Sequence, residues 1–279
     1  LKWIADFRDP WTEISYYKHL KLTKIADKKH RKLESEVFKN ADITLATSYT
    51  DAENFRKKGA NAFCITNGFD VDASTTLSMT EENSKTLPLS NSTTKFTLSY
   101  IGVLEQLRNP EILWETLNDL VQENADFKND FQLKFVGRLD DKILQKIESS
   151  PLKNNLTNLG YQTHDVALKH MQDSTVLLIT NFPQESSKGI IPGKIFEYLA
   201  TGKTILSFGP KDADVEKILI ETKAGKHFGY DEKENLKKFI LESYENWKSG
   251  TLNQNAENIE QFSRKNLTQK LVDLMNKWF

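Results

Sequence analysis

Short apolar runs with the length of β-strands alternate along the chain with longer segments of helical periodicity. This alternation is typical of parallel sheets covered by helices, because a crossover between parallel strands usually contains a helix. Strands are predicted at 2–7, 43–46, 63–66, 96–103, 131–137, 156–160, 174–180, 203–208 and 226–229. Helices are predicted at 18–39, 50–58, 110–124, 140–149, 164–171, 192–201, 212–222, 232–248 and 255–277. The sequence therefore predicts an α/β fold.

The length of 279 residues is most naturally accommodated by two domains with separate cores. We predict a first domain over 1–68, a second domain over 69–255 and an amphipathic last helix within 256–279. Residues 74–95 are rich in Ser, Thr and Asn, and they are interpreted as either a linker or an ordered surface loop. The chain opens with Leu1 inside a predicted strand, so we expect it to be cut from a longer protein.

Composition excludes several classes of protein. The net charge of -1 argues against a broad nucleic-acid surface. A single cysteine, Cys64, excludes a disulfide within the chain, and five histidines without paired Cys or His form no zinc pattern. No apolar stretch approaches the roughly 20 residues of a membrane span, and no signal peptide is visible. We therefore expect a cytoplasmic location.

The most informative run extends from Gly189 to Leu206 and is predicted as loop, helix, tight turn and buried strand. Pro192 suits the first position of a helix, and Gly202 suits its end. Lys194 is predicted in the first helical turn, where the helix dipole disfavours a cation by a few tenths of a kcal/mol. A cation there makes sense beside a bound anion, because helix N-termini bind phosphate.

Glu197 follows Lys194 by three residues and is predicted on roughly the same helix face. Its neighbours in the sequence are mostly apolar, and a carboxylate is costly to bury without a partner. A ribose diol would be a suitable partner. The alternative is a surface Lys194–Glu197 pair on an amphipathic helix, and these residues alone leave both interpretations open.

A second run, Ser99 to Pro110, is predicted as a strand that ends at Gly102, a short loop and a helix start. Asn109 is predicted as the helix cap and Pro110 as the first helical residue. Arg108 then lies at this helix start, where its guanidinium group can pair with phosphate oxygens. The alternative is that Arg108 is only a solvated loop residue.

Two further loops follow predicted strands, where open α/β sheets build their sites. Arg138 follows the strand 131–137 and is a candidate contact to a base or to phosphates, with a surface role equally compatible. At the end of the first strand, Arg8 and Asp9 lie close to Asp6 and Glu13 in the sequence. We consider Arg8 and Asp9 candidate catalytic residues, with an Arg8–Asp ion pair that only fixes the loop as the alternative.

The runs 189–206 and 99–110 resemble the donor-binding motifs of retaining glycosyltransferases of family 4 (group 1). Those enzymes have the GT-B fold, in which two Rossmann-like domains face a cleft. The resemblance implies a complete C-terminal donor domain, an N-terminal domain only partly present, and a last helix that crosses back to that domain. The family's pattern is Glu, seven residues, Glu, and the second Glu is Glu197. The first position is Gly189, a departure that leaves sugar recognition there open.

The resemblance implies roles for several residues. Glu197 would bind the ribose, while Arg8 stands where many members have a histidine that faces the donor sugar. The other implied donor-binding residues are Gly102, Arg108, Lys194, Gly189, Ile190 and Ile191, together with Arg138. In a loop similar to one that packs on the nucleobase, Tyr161 would stack on the base and the backbone of Gln162 would contact its edge. Tyr161 as a core aromatic residue is the alternative.

The implied reaction moves a sugar with retention from a nucleotide diphosphate donor, in particular a UDP-sugar, to a hydroxyl of a glycan or lipid-linked glycan in bacterial surface polysaccharide synthesis. No metal, no other cofactor and no nucleic acid is implied, and peripheral contact with the inner membrane is compatible with a lipid-linked acceptor. We expect the chain alone to transfer no sugar. The alternatives are a sugar-nucleotide epimerase of GT-B fold, which would use His164 or His170, and a non-catalytic nucleotide-sugar binding protein.

Overall fold

The computed structural model describes residues 1–14, 17–70, 95–252 and 256–278. It contains two parallel sheets, as the alternation of strand-like and helix-like segments predicts, and the α/β prediction is confirmed. The predicted linker 74–95 lies outside the described residues, except for Lys95.

The first sheet has three parallel strands, and helices connect the successive strands. Its strands are β1 (Ile4–Phe7), β2 (Ile43–Ala46) and β3 (Ala62–Cys64), in the order β1-β2-β3. The connecting helices are α1 (Lys24–Asn40) and α2 (Tyr49–Lys57). Phe38 and Phe55 are buried between helices and sheet with their ring centroids 5.0 Å apart, and Phe7 packs against both. This aromatic cluster fixes the two helices on the sheet.

The second sheet has six parallel strands. They are β4 (Phe96–Ile101), β5 (Phe131–Val136), β6 (Leu156–Asn158), β7 (Val176–Thr180), β8 (Thr204–Phe208) and β9 (Gly225–Phe228). Their order in the sheet is β6-β5-β4-β7-β8-β9, which is the Rossmann order counted from β4 as the first strand. The chain reverses its winding direction between β4 and β7. Open sheets of this kind bind ligands at that point, beyond the carboxyl ends of the strands.

Helices cover both faces of the second sheet. They are α3 (Glu111–Glu123), α4 (Ala125–Asp130), α5 (Asp141–Glu148), α6 (His164–Gln172), α7 (Lys194–Ala200), α8 (Asp214–Thr222) and α9 (Lys233–Lys248), and α10 (Arg264–Trp278) ends the described chain. One core layer is built around Trp114, Phe127 and Tyr244, and the other around Phe196 and Ile218. Strands buried on both faces need continuous apolar runs, which explains why the sequence shows them so clearly.

Three helices differ from the prediction. Helix α1 begins at Lys24 instead of 18, because Lys21 has a φ of 49° and the Thr23 hydroxyl caps the helix. Helix α10 begins nine residues later than predicted, after Asn258 with a φ of 56° and a carbonyl of Phe262 that accepts from the Phe69 N–H. Helix α4 was not predicted, and the Asn124 side chain caps it.

The two sheets are joined by polar and apolar contacts. The carboxylate of Asp214 accepts hydrogen bonds from the N–H and the hydroxyl of Thr50, both at 2.8 Å. At the other end, the ring of Trp278 on α10 lies 5.9 Å from that of Phe63 on β3. Helix α10 thus contacts the first sheet, while the domain limits 1–68, 69–255 and 256–279 stay predictions.

Candidate functional site

Two glycines lie at the carboxyl ends of β4 and its neighbour β5, beside the point between β4 and β7 where the winding direction reverses. Gly102 follows β4 with a φ of 119°, and Gly137 follows β5 with a φ of 122°, a region that disfavours any side chain. A Cβ on Gly137 would lie 2.2 Å from the carbonyl oxygen of Gly102, so the two loops touch through their backbones. A Cβ on Gly102 would lie 3.1 Å from the Nζ of Lys194. These glycines let a lysine from α7 reach the end of β4.

Lys194 is half-buried and lies against β4. Its Nζ donates to the carbonyl oxygen of Ile101 at 2.8 Å and lies 4.1 Å from the centre of the Tyr100 ring. The pKa of Lys194 is lowered to about 7, mainly by burial and also by the charge of Arg108, while the charge of Glu197 opposes the shift. The predicted alternative of a surface Lys194–Glu197 pair is therefore wrong. A bound anion here would restore the ammonium form.

Arg108 is held beside the same loop. Its Nη2 donates to the carbonyl oxygen of Val103 at 3.0 Å and to the carboxylate of Glu105 at 3.2 Å. The guanidinium carbon lies 5.5 Å from the centre of the Phe182 ring, in the loop after β7. Within the described residues, the buried Nε–H has no hydrogen-bond partner. Gly102, Arg108 and Lys194 thus meet at one place, which we call the cation site.

The helix starts contribute less than the sequence suggests. Helix α7 begins at Lys194, and the N–H groups of Ile195 and Phe196 already donate to the carbonyl oxygens of residues 192 and 193. The prediction of Asn109 as the cap of α3 is wrong, because Pro110 holds that position and the Asn109 side chain accepts from the indole of Trp114 at 2.6 Å. The cation site therefore depends on its side-chain charges more than on free amides.

Glu197 is half-buried on α7, one turn after Lys194. In the part of the chain that the structure describes, its carboxylate has no hydrogen bond and no ion pair. Its charge still acts on Lys194. A half-buried carboxylate without a partner is suited to bind hydroxyl groups of a ligand.

The loop after β7 brings position 189 against the first sheet. The carbonyl oxygen of Ile190 accepts from the Asn181 side chain at 2.8 Å, and Ile191 is partly buried against the core. A Cβ on Gly189 would lie 3.0 Å from the hydroxyl oxygen of Ser48 and 3.3 Å from a carboxylate oxygen of Asp51. The expected carboxylate at 189 is thus replaced by a glycine that packs closely on the start of α2.

Asp51 is a residue of this region that the sequence analysis missed. The pKa of Asp51 is raised to about 6, mainly by burial and also by the charges of Asp214, Asp9 and Glu13, while the Ser48 hydroxyl opposes the shift. The spacing of Ser48 and Asp51 is close to that of a capping box, and this signal places Asp51 at the start of a helix. No pattern in the sequence indicates that Asp51 lies close to Gly189.

Arg8 and Asp9 lie exposed at the carboxyl end of β1. The Nη2 of Arg8 donates to the side-chain oxygen of Asn67 at 2.7 Å, and its Nη1 lies 3.9 Å from the carboxylate of Asp6. Arg8 therefore forms an ion pair with Asp6, as in the alternative interpretation of a pair that fixes the loop. The carboxylate of Asp9 is close enough to act on Asp51 electrostatically.

The remaining candidates lie on loops at the carboxyl edge of the second sheet. Arg138 is exposed, and its carbonyl oxygen accepts from the N–H of Leu104 at 2.9 Å, beside the cation site. Tyr161 is 88% exposed, so the alternative of a core aromatic residue is wrong. The side chain of Gln162 donates to the carbonyl oxygen of Leu159 at 2.8 Å. An exposed tyrosine at this edge of the sheet is available for stacking.

Two searches cover only the described residues. Among them, no group of three or more His, Cys, Asp or Glu side chains is placed to hold a metal ion. No helix in these ranges combines the length and the apolar character that are needed to cross a bilayer.

Comparison with known proteins shows the architecture. No protein-family model and no curated protein matches the sequence. A mutant of TarM from S. aureus, solved with fondaparinux, α-GlcNAc-glycerol and UDP, superposes with a TM-score of 0.60 at 16% identity, over 89% of this chain and 46% of TarM. HepE from Anabaena, solved with UDP and glucose, superposes with a TM-score of 0.62 at 14% identity, over 99% of this chain and 72% of HepE. WaaG, a glycosyltransferase of lipopolysaccharide biosynthesis, has a TM-score of 0.58 at 13% identity, over 95% of this chain and 74% of WaaG.

The chain has the fold of GT-B glycosyltransferases. The identities are low, so the likeness establishes the architecture and not the reaction. The chain spans less than half the length of TarM.

Proposed function

We propose that this chain is part of a glycosyltransferase similar to the retaining enzymes of family 4, and that it binds a UDP-sugar donor. The observation that carries the proposal is the cation site, where Arg108 and Lys194 lie beside Gly102, next to the point between β4 and β7 where the winding direction reverses. Doubly wound sheets bind nucleotides at this point. Two of the structural neighbours were solved with UDP, which supports the nucleotide.

The residues divide the donor among them. Arg108 and Lys194 neutralise the diphosphate, Glu197 accepts hydrogen bonds from the ribose, and Tyr161 stacks on the base. In the reaction, the bond between the sugar's anomeric carbon and the diphosphate breaks, and the bond to the acceptor oxygen forms on the same face. Arg8 stabilises the charge on the departing diphosphate, and Asp9 takes the proton of the acceptor hydroxyl.

The proposal extends to the acceptor and the location. A glycan or lipid-linked glycan is the acceptor, and the biological role is bacterial surface polysaccharide synthesis at the cytoplasmic face of the membrane. The support is a relative of similar fold, WaaG, which acts in lipopolysaccharide biosynthesis. Phosphate neutralisation by Arg108 and Lys194 makes a metal ion unnecessary in this proposal.

The sequence is compatible with two other functions. An epimerase would need a histidine in the cleft, but His170 lies near the end of α6, and the following strand β7 begins at the opposite edge of the sheet from Gly102. His164 lies exposed at the start of α6, on the cleft side. A nucleotide-sugar binding protein without activity stays an alternative because of Gly189 and Arg8.

Binding of UDP by isothermal titration calorimetry tests the donor site. We expect the change Glu197→Ala to weaken binding about tenfold or more, which is about 1.4 kcal/mol. Glu242→Ala, at an exposed glutamate on α9, is the matched control and should leave the affinity unchanged. Equal affinities for wild type and Glu197→Ala would contradict the ribose role, and no UDP binding by the wild type would contradict the proposal itself. Donor hydrolysis by the full-length protein distinguishes an enzyme from a binding protein.

A further inference from the structure

Positive charge is concentrated on one face of α1 and on the turn before it. Between residues 20 and 33 the chain has six Lys or Arg residues and one acidic residue, although its overall net charge is -1. Lys24, Lys28, Lys29 and Lys32 are all exposed on α1. At about 100° per residue they lie with Ile25 within an arc of roughly 140° on the helix surface. The two buried residues of α1, Glu34 and Phe38, lie outside this arc.

This charge is largely uncompensated within the protein. In the described ranges, Lys21, Lys24, Lys28 and Lys29 have no ion pair, and the acidic residue of the segment, Asp27, is bound by Arg31 and by the hydroxyl of Tyr17. Lysines spaced by four residues repel each other and destabilise a helix. A partner with negative charge would remove this repulsion.

Exposed apolar side chains accompany the lysines. Ile25 is 83% exposed in the middle of the basic arc, Leu20 is 47% exposed just before the helix, and Leu33 is 38% exposed directly after Lys32. Nucleic acid would use the lysines but offers these aliphatic side chains no burial. The boundary between lipid headgroups and acyl chains accommodates both, because lysine stems and aliphatic groups enter it while the ammonium groups stay at the headgroups.

We propose that the basic face of α1, formed by Leu20, Lys21, Lys24, Ile25, Lys28 and Lys29, docks on the surface of an anionic lipid bilayer. Helix α1 follows β1, so its basic half begins at the carboxyl edge of the first sheet, where Arg8 and Asp9 also lie. Docking therefore brings this edge towards the membrane. Docking would deliver a lipid-linked acceptor to that edge. This biological role rests on the proposed function.

Cosedimentation with vesicles tests the docking. The probe is a vesicle of phosphatidylglycerol and phosphatidylcholine in equal parts, compared with pure phosphatidylcholine at the same ionic strength. A lysine near an anionic surface contributes about 1 kcal/mol, or about fivefold in partitioning, so Lys24, Lys28 and Lys29 changed together to Gln should lower binding on the order of 100-fold. Ile25→Ser should lower it roughly fivefold.

The matched control changes three exposed lysines of α10, Lys265, Lys270 and Lys277, to Gln, with the same loss of charge. It should lower vesicle binding less than about threefold, because general electrostatics is screened beyond about 10 Å. Equal losses in the two triple variants, or equal binding to the two kinds of vesicle, would overturn the docking surface. Failure of Ile25→Ser to weaken binding, together with equally tight binding of a single-stranded oligonucleotide, would indicate a nucleic-acid surface instead.

Calorimetry with UDP separates this inference from the proposed function. The triple variant of α1 should bind UDP as the wild type does, because the cation site lies on the other sheet. Loss of vesicle binding with normal UDP affinity supports both proposals. Normal vesicle binding by the triple variant overturns only the docking surface, and a wild type that binds vesicles but not UDP overturns only the donor site.

Discussion

The unusual ionisation of Lys194 leads to a specific prediction about pH. Because burial holds its pKa at about 7, the free protein loses the ammonium charge as the pH rises through this value. A diphosphate binds the charged form better than the neutral amine. Affinity for a nucleotide diphosphate sugar should therefore be greatest below pH 7 and fall as the pH rises, and the protein should take up a proton on binding.

The magnitude follows from the local environment. One opposite charge in contact shifts a pKa by about 1 to 3, so the diphosphate favours the ammonium form by about tenfold to a thousandfold. With a pKa of about 7 in the free protein, the affinity should fall about sixfold to twentyfold between about pH 6.5 and about pH 8.5.

Isothermal titration calorimetry with UDP-glucose measures this dependence, because a diphosphate esterified at both ends keeps a constant charge in this range. Repeating the titration in buffers of different ionisation enthalpy counts the protons taken up. Lys194→Gln should bind more weakly and without a pH slope, whereas Lys226→Gln, at an exposed lysine on β9, should keep the slope of the wild type. A wild-type affinity that stays constant over this range, or a slope that persists in Lys194→Gln, would refute the reasoning.

Two further predictions concern the framework of the site. Gly102→Ala places a side chain at a φ of 119° and 3.1 Å from the Nζ of Lys194, so it should lower stability by about 1–3 kcal/mol and weaken UDP binding, while Gly193→Ala, where a Cβ has open space, should change neither. Asp214→Asn removes the charge that accepts two hydrogen bonds from Thr50, and it should lower the free energy of unfolding in urea by about 3 kcal/mol. A loss below about 0.5 kcal/mol, typical of exposed positions, would contradict that estimate.

The local pattern of the sequence was enough for most of the secondary structure. Every predicted strand is present within two residues at each end, because apolar runs in a doubly wound sheet are long, continuous and separated by helical periodicity. The position of Arg108 after β4 also followed from local spacing. Helix limits were less predictable, since the start of α10 depends on the backbone pairing of Phe69 with Phe262 and Ser263, far away in the sequence.

The site itself depended on contacts between distant segments. The sequence indicated a cation at position 194. Its contact with the Tyr100 ring and its lowered pKa arise from the packing of α7 against β4. Gly189 and Asp51 likewise lie close together although they belong to segments beside different sheets. No local pattern in the sequence links these two segments.

The sequence alone determined which segments form strands and helices, because periodicity and turn residues act over a few neighbours. The tertiary structure decided which charges are buried, which lie together and which stay exposed, as for Lys194 and the lysines of α1. Electrostatic energies depend on distance and on access to water, and both are set only when segments remote in the chain have packed.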